Sequence, residues 1–226
     1  VRDGLELSDA MLTLAGSNFA TARLTFFGEQ SLSGTGTVSL SDENAIDGRA
    51  VNNQIVFTGV SGATEVFQIA EGVRLEGHGT VTVSAGDILD FDGDAEAQNG
   101  RLSLQGIEEI TGDIGVQLES TLAFDRTFGM AASAELTVTL GGAGLDVAAG
   151  LVTVEGLVQR GGDFRFDLAP GFDAEIGTEF EVLRTTEGFT DRFANILDAT
   201  LDDTRGLMLV EDGTSLYARV VALDAA

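Results

Sequence analysis

The stretch Leu32-Ser-Gly-Thr-Gly-Thr-Val-Ser-Leu40 decides the fold, because it recurs along the chain. It returns as Leu75-Glu-Gly-His-Gly-Thr-Val-Thr-Val83, and Ile110-Thr-Gly-Asp-Ile-Gly-Val116 is a third, less regular copy. The two clearer copies join a short run of Thr, Val and Leu to two glycines at a spacing of two. This pattern suits a β-strand entered through a tight corner. A recurring strand and corner is typical of solenoids and other repetitive all-β folds.

The composition also indicates an all-β protein. Thirty glycines and a single proline, Pro170, accompany many Thr, Val, Leu and Phe residues, as expected for strands joined by glycine corners. Cysteine is absent, so the chain forms no disulfides. We predict a right-handed parallel β-helix or related solenoid over residues 1–130, with turn signals at irregular intervals up to about residue 118. A tandem pair of β-sandwiches is the alternative.

From about Ala134 the pattern changes to longer alternation of apolar and polar residues. The apolar positions are Leu136, Val138 and Leu140 in one run and Phe164, Phe166 and Leu168 in another. Such alternation is typical of half-buried strands in an antiparallel sheet or a broad terminal cap. We therefore predict a β-rich capping module over residues 131–226. The segment Thr190-Asp-Arg-Phe-Ala-Asn-Ile-Leu197 is predicted to hold the one helical turn, with Thr190 or Asp191 as its cap.

The charge balance restricts the partners. Thirty-seven acidic residues stand against 12 basic ones, all of them Arg, and the net charge is −25. This charge repels nucleic acid phosphates and anionic membrane surfaces, whereas cations such as Ca²⁺ and Na⁺ are natural partners. No run approaches the roughly 20 apolar residues of a membrane helix, so we expect no membrane insertion.

A series of short β-prone runs in the second half resembles a known class of protein. The runs are Leu136-Thr-Val-Thr-Leu-Gly-Gly, Leu145-Asp-Val, Leu151-Val-Thr-Val-Glu-Gly, Phe164-Arg-Phe-Asp-Leu, Ile176-Gly-Thr-Glu-Phe-Glu-Val-Leu183, Gly188-Phe-Thr-Asp-Arg-Phe-Ala194 and Ser215-Leu-Tyr-Ala-Arg-Val220. Over roughly residues 100–221 they resemble the C-terminal part of large bacterial secreted and surface proteins, of the autotransporter-passenger or sorting-signal type. In those proteins glycine-rich β-helical repeats lead into a closing β module. The resemblance implies an extracellular or cell-surface location in a bacterium.

The densest acidic group is a candidate calcium site. It contains Asp87, Asp90, Asp92, Asp94 and Glu96. Aspartates two residues apart around a glycine can direct several carboxylates to one ion, as oxygen-ligand calcium loops do. The spacing departs from an EF-hand, because the glycine comes early and the bidentate glutamate at the twelfth position is absent. The alternative is a solvated acidic turn.

Other chemical motifs are incomplete. Gly141-Gly-Ala-Gly-Leu-Asp-Val-Ala-Ala149 fits most of a calcium-binding β-roll nonapeptide, but a single imperfect copy favours a glycine corner between two strands. His78 is the one histidine and is predicted to lie at the surface. Classical zinc sites and Ser-His-Asp machinery are therefore excluded. If paired carboxylates served a glycosidase or lyase, Arg74 and Arg101 would be the basic candidates.

These features favour a non-catalytic structural or adhesive module, expected to self-associate into a fibre or layer or to bind other surface proteins or polysaccharide. The repeats suit an extended rod, and stacked β-coils have ends that can pair with another copy. The alternative is a polysaccharide-acting enzyme or a phage-like sugar-binding spike with a long groove of carboxylates, Arg and aromatic residues.

Overall fold

A computed structural model describes residues 1, 4–17, 20–44, 53–60, 64–143 and 146–223. Strands make up 66% of the chain and the described residues contain no helix, so the fold is all-β, as predicted. The strands are β1 (Leu5–Ser17), β2 (Arg23–Phe27), β3 (Ser31–Asn44), β4 (Gln54–Thr58), β5 (Val66–Ile69), β6 (Val73–Val83), β7 (Ile88–Phe91), β8 (Asp94–Leu104), β9 (Ile107–Ile110), β10 (Ile114–Val116), β11 (Thr121–Phe124), β12 (Phe128–Met130), β13 (Glu135–Ala143), β14 (Asp146–Ala149), β15 (Leu151–Val154), β16 (Val158–Arg160), β17 (Asp163–Leu168), β18 (Glu179–Thr185), β19 (Phe189–Asp191), β20 (Asn195–Leu197), β21 (Arg205–Asp212) and β22 (Ser215–Ala222).

Most of these strands pair in parallel, and the pairs form three ladders. The first ladder runs β1, β3, β6, β8, β10, β13, β17, β20. The second runs β2, β4, β6, β8, β11, β15, β18. The third runs β3, β5, β7, β9, β12, β16, β19. The long strands β3, β6 and β8 each belong to two ladders, because each bends between its halves.

The core lies along the inward rows of these ladders. In the first ladder the register places one buried residue against the next, in the order Val38, Leu75, Ala95, Ile114, Leu136 and Phe164. The second ladder adds Phe26 and Phe57, whose rings stack with centroids 4.7 Å apart. Side chains that alternate in and out of a strand produce such rows. Burial of the apolar rows therefore holds successive strands in register.

The repeated glycines do form corners, but at different places in the fold. Gly34 and Gly77 have φ angles of 89° and 108°, and a side chain on either would overlap a carbonyl oxygen of the neighbouring strand. In β3 the corner separates the third ladder from the first, whereas in β6 it separates the first from the second. Val38 consequently lies beside Leu75, although the repeat equates Leu32 with Leu75. The repeat encodes a bent strand and does not encode its position in the ladders.

The C-terminal part combines parallel ladders with antiparallel hairpins. The predicted alternation is confirmed, since Leu136, Val138, Leu140, Phe164 and Phe166 are all buried. Antiparallel pairing joins β13 to β14, β18 to β22 and β21 to β22. The parallel pairs of β10 with β13 and β12 with β16 cross residues 130 and 131, and the division into residues 1–130 and 131–226 stays a prediction.

The predicted helical turn at residues 190–197 is wrong. Thr190 and Asp191 lie in β19, which pairs with β16, and Asn195, Ile196 and Leu197 form β20, which pairs with β17. Asp191 has a φ of 58°, which ends β19 instead of capping a helix. The segment extends the first and third ladders, because pairing with strands already in place outweighs a weak local helical preference.

Candidate acidic site

Carboxylates from successive strands meet on the outer surface of the first ladder. Asp94, Asp113 and Glu135 each directly precede an inward residue of that ladder, namely Ala95, Ile114 and Leu136. The N–H of Asp113 donates to Asp94 Oδ1, and the N–H of Glu135 donates to Asp113 Oδ1, both at 3.0 Å. We call these three residues the acid stack. The carboxylates of Asp94 and Asp113 are thus each held by a backbone N–H of the next residue in the stack.

Two open cavities flank the acid stack. One, of about 270 Å³, is lined by Arg74, Glu96 and Thr137 together with all three acids of the stack. The other, of about 740 Å³, is lined by Glu71, Asp92 and Ser133 with Asp94 and Asp113. Arg74 forms an ion pair with Glu96 at the edge of the first cavity. The surface therefore offers several carboxylate oxygens to a cation or a polar ligand.

Two carboxyl groups of this surface bind protons more readily than usual. Partial burial raises the pKa of Asp113, and the negative charges of Asp94 and Glu135 raise it further. The hydrogen bond from the N–H of Glu135 acts in the opposite direction and lowers this pKa, but it does not cancel the rise. Partial burial and the charge of Asp92 likewise raise the pKa of Asp90. Glu135 differs, because hydrogen bonds from Arg165 lower its pKa. Asp113, whose pKa is raised, and Glu135, whose pKa is lowered, are therefore neighbours in the acid stack.

The five residues predicted to bind calcium do not lie together in one place. Asp92 accepts from Thr111 Oγ1 at 2.7 Å and Gln68 Nε2 at 3.2 Å, and it shares the larger cavity with Asp94. Glu96 shares the smaller cavity with Asp94 and accepts from Gln117 Nε2 at 2.8 Å. Asp90 is exposed on β7. Asp87 is buried and forms a hydrogen bond with Glu65.

These residues do not fold into one calcium loop. Asp90, Asp92, Asp94 and Glu96 alternate with buried residues and face outward. Asp92 and Glu96 nevertheless line different cavities, Asp90 lines neither of them, and Asp87 is buried. In the described part of the chain, no group of three or more His, Cys, Asp or Glu side chains is arranged to hold a metal ion. Calcium binding by Asp87, Asp90, Asp92, Asp94 and Glu96 stays a prediction.

Sequence reasoning missed Asp113 and Glu135, which lie far from the acidic cluster in the chain. The ladder register alone brings them beside Asp94. One signal was present in the sequence, since each acid comes immediately before the first inward-facing apolar residue of its strand. Of the two candidate arginines, Arg74 lines the smaller cavity, whereas Arg101 lies in the second-ladder half of β8.

The prediction that His78 lies at the surface is wrong, because it is 6% exposed. His78 sits in β6 between Gly77 and Gly79, where the strand bends from the first ladder to the second. Its Cβ faces Gly100 of the next strand, and that glycine leaves room for the imidazole. Residues 144 and 145 of the glycine-rich nonapeptide lie outside the described residues, but their flanks form the β13–β14 hairpin.

A separate cavity of about 360 Å³ lies under the C-terminal hairpin and is lined by Arg160, Phe193, Leu209 and Leu216. Arg160 donates to the carbonyl of Asp191 at 2.7 Å, pairs with Glu211 at 2.8 Å and lies over the ring of Phe189. Its charge is therefore compensated inside the protein, which indicates a role in packing the hairpin.

Within the described residues no helix combines the length and hydropathy needed to cross a membrane. No protein-family model matches the chain, and a search of curated proteins also gave no match.

Proposed function

We propose that the chain is a non-catalytic structural or adhesive module of an exported bacterial surface protein, built as a right-handed parallel β-helix with a β-rich C-terminal cap. The observation that carries this proposal is the order in which the chain visits the ladders. It passes through β10, β11 and β12 in the first, second and third ladders, then β13, β15 and β16, then β17, β18 and β19. One coil therefore supplies one strand to each of three faces.

The handedness follows from general stereochemistry. Parallel strands joined by a crossover are right-handed in about 98% of cases, because twisted strands pack back onto their sheet in that sense. The proposed C-terminal cap, residues 131–226, includes the hairpin of β21 and β22, which pairs with the last strand of the second ladder. Such a hairpin covers a strand edge that would otherwise be open.

A rod of stacked coils suits a structural or adhesive role, because unpaired strand edges of such coils can pair with another chain. β1 pairs with β3 along one edge, and no strand among the described residues pairs with its other edge. Met11 on this strand is 68% exposed. Open edges of this kind template pairing with another chain, so a second copy is the partner that we expect there. The net charge of −25 opposes association, and salt or Ca²⁺ would screen that repulsion.

Self-association is tested by multi-angle light scattering during a calcium titration at constant ionic strength. We expect the mass to rise with calcium for the natural chain and to stay monomeric for Met11→Glu. Ile176→Glu is the matched control, because Ile176 is also exposed, at 58%, but lies in the loop between β17 and β18. A monomer at every calcium and protein concentration would exclude the fibre or layer.

The alternative function is that of a polysaccharide-acting enzyme or a sugar-binding spike. Its support is the acid stack, where Asp113 with a raised pKa adjoins Glu135 with a lowered one. Glycosidases use one protonated and one ionised carboxyl in this way. Release of reducing or unsaturated ends from an acidic polysaccharide, abolished in Asp113→Asn, would replace the structural proposal with this one.

A further inference from the structure

Two carboxylic acids are buried side by side near the start of the third ladder. Glu65 and Asp87 are each 5% exposed. They directly precede Val66 and Ile88, which are register partners in β5 and β7. Like charges in such neighbouring positions repel each other, and burial adds a desolvation cost to each charge. This arrangement favours a positive charge beside Asp87.

The backbone fixes one oxygen of each carboxyl group. The N–H of Glu65 donates to Asp87 Oδ1 at 3.0 Å, and the N–H of Val60 donates to Glu65 Oε1 at 3.0 Å. Asp87 Oδ2 is also buried, yet it accepts no hydrogen bond from the described residues. No arginine of the described chain pairs with Asp87. A buried anionic oxygen without a donor is costly, which points to a missing partner.

Gly59 leaves room for that partner. A Cβ atom on Gly59 would lie 2.9 Å from Asp87 Oδ2 and 3.4 Å from the carboxyl carbon of Glu65. Gly59 is not among the residues with positive φ, so its backbone does not require glycine. The N–H of Gly59 donates to Ser84 Oγ at 3.3 Å, which brings a hydroxyl oxygen to the same place. A side chain at position 59 would thus crowd Asp87 Oδ2, and glycine keeps the position beside the two carboxyl groups clear.

We propose that Glu65 and Asp87 bind one hard divalent cation in the space beside Gly59. Two carboxylates supply two negative charges, which a divalent ion neutralises, and carboxylate, hydroxyl and backbone oxygens are the ligands that such ions take. The site differs from the predicted calcium loop, because the partner of Asp87 is Glu65 and the acid stack has no part in it. Since the two carboxyls are buried, salt should weaken this binding much less than it weakens the attraction of cations to exposed carboxylates.

The test uses Ca²⁺ alone as the probe, in isothermal titration calorimetry and in thermal melts at constant ionic strength. We expect one saturable site per chain in the natural protein. Asp87→Asn should weaken binding at least tenfold, and Gly59→Ala should do so by filling the space. Asp113→Asn is the control, because it removes a charge from the acid stack and should leave this binding unchanged.

A second measurement separates lost binding from lost folding. In chelator, Asp87→Asn should melt at or above the temperature of the natural chain, because the uncompensated buried charge is gone. In saturating calcium the order should reverse. The proposal is overturned if the natural chain binds no calcium at this stoichiometry, if Asp87→Asn and Gly59→Ala bind as the natural chain does, or if Asp113→Asn abolishes binding. Absence of binding together with a more stable Asp87→Asn would instead indicate a proton shared by the two acids.

Discussion

The acid stack and the C-terminal region both place carboxylates on outward positions of adjacent strands, yet they balance the charge differently. Asp94 and Asp113 accept hydrogen bonds from backbone N–H groups. In the C-terminal region arginine side chains pair with the acids, as Arg184 does with Glu181, Arg205 with Asp173 and Asp202, and Arg219 with Glu179. Arg165 stands at the border and binds both Glu135 and Asp198. The fold therefore accommodates both ways of balancing surface carboxylates, because the buried apolar rows stabilise both regions.

The two arrangements shift the pKa values in opposite directions. Hydrogen bonds from Arg165 and Arg184 lower the pKa of Glu135 and Glu181. The stability from these two acids is present above their unfolded pKa and is lost as pH falls through the folded value. Burial raises the pKa of Asp113. Its contribution is present below its unfolded pKa and is lost as pH rises through the folded value.

The largest expected effect tests whether the inward rows carry both regions. Phe91 beneath the acidic surface and Phe164 in the C-terminal region are both fully buried. Phe91→Ala and Phe164→Ala should each lower the free energy of unfolding by about 3–5 kcal/mol, measured by urea denaturation at low and high salt. Phe27→Ala is the control, since that ring is 49% exposed. If the loss at Phe91 depended on salt, outer charges and not the core would hold that region.

A smaller effect should come from the close approach of two corners beside the acid stack, at Gly93 between β7 and β8 and at Gly112 between β9 and β10. A Cβ on Gly112 would overlap the backbone carbonyl of Gly93, whereas a Cβ on Gly129 would meet a side-chain atom of Gln159 at an ordinary 3.5 Å. Neither glycine has a positive φ. Gly112→Ala should therefore cost about 1–3 kcal/mol through overpacking, and Gly129→Ala should be close to neutral. Equal melting temperatures for the two variants would contradict this close approach.

The class of fold could be predicted from the sequence because it depends on local patterns. The alternation at Leu136–Leu140 and Phe164–Phe166 identified inward residues correctly, and the glycine pairs marked real corners. The helical turn at residues 190–197 failed, because ladder partners more than 25 residues away decide that segment. The prediction that His78 is exposed failed for a related reason, since the room for its ring comes from Gly100 on the next strand.

The acidic site was predictable only where its residues are neighbours in sequence. Asp92, Asp94 and Glu96 were identified, but their cavities are completed by Asp113 and Glu135 from later strands. Irregular coil lengths hide that register, because Ala95 pairs with Ile114 whereas Ile114 pairs with Leu136. Glu65 was likewise missed as the neighbour of Asp87. Long-range register, unlike periodicity, is not written in any short stretch.

The smallest expected effect is the one that most sharply separates the two arrangements. Asp113→Asn removes a charge repelled by Asp94 and Glu135 while its Oδ1 can still accept the N–H of Glu135, so it should raise the melting temperature at pH 7. Glu135→Gln removes the bidentate contact with Arg165, whose bonds are 2.7 and 2.9 Å, and should lower it. Because both sites are partly solvated, each change should amount to roughly a few tenths of a kcal/mol, or about 1 °C.

The pH dependence of these two variants gives the deciding measurement. As pH falls, Asp113 takes up a proton earlier than an ordinary aspartate because its pKa is raised, so the advantage of Asp113→Asn should vanish. Glu135 keeps its charge to lower pH than an ordinary glutamate because its pKa is lowered, so the deficit of Glu135→Gln should persist. Salt at 1 M, where the screening length is about 3 Å, should shrink both differences. Differential scanning calorimetry of the two variants and the natural chain between pH 7 and acid provides the comparison. Shifts of the same sign at pH 7 would mean that Asp113 gains as much from its neighbours as Glu135 gains from Arg165, and the distinction between the two arrangements would fail.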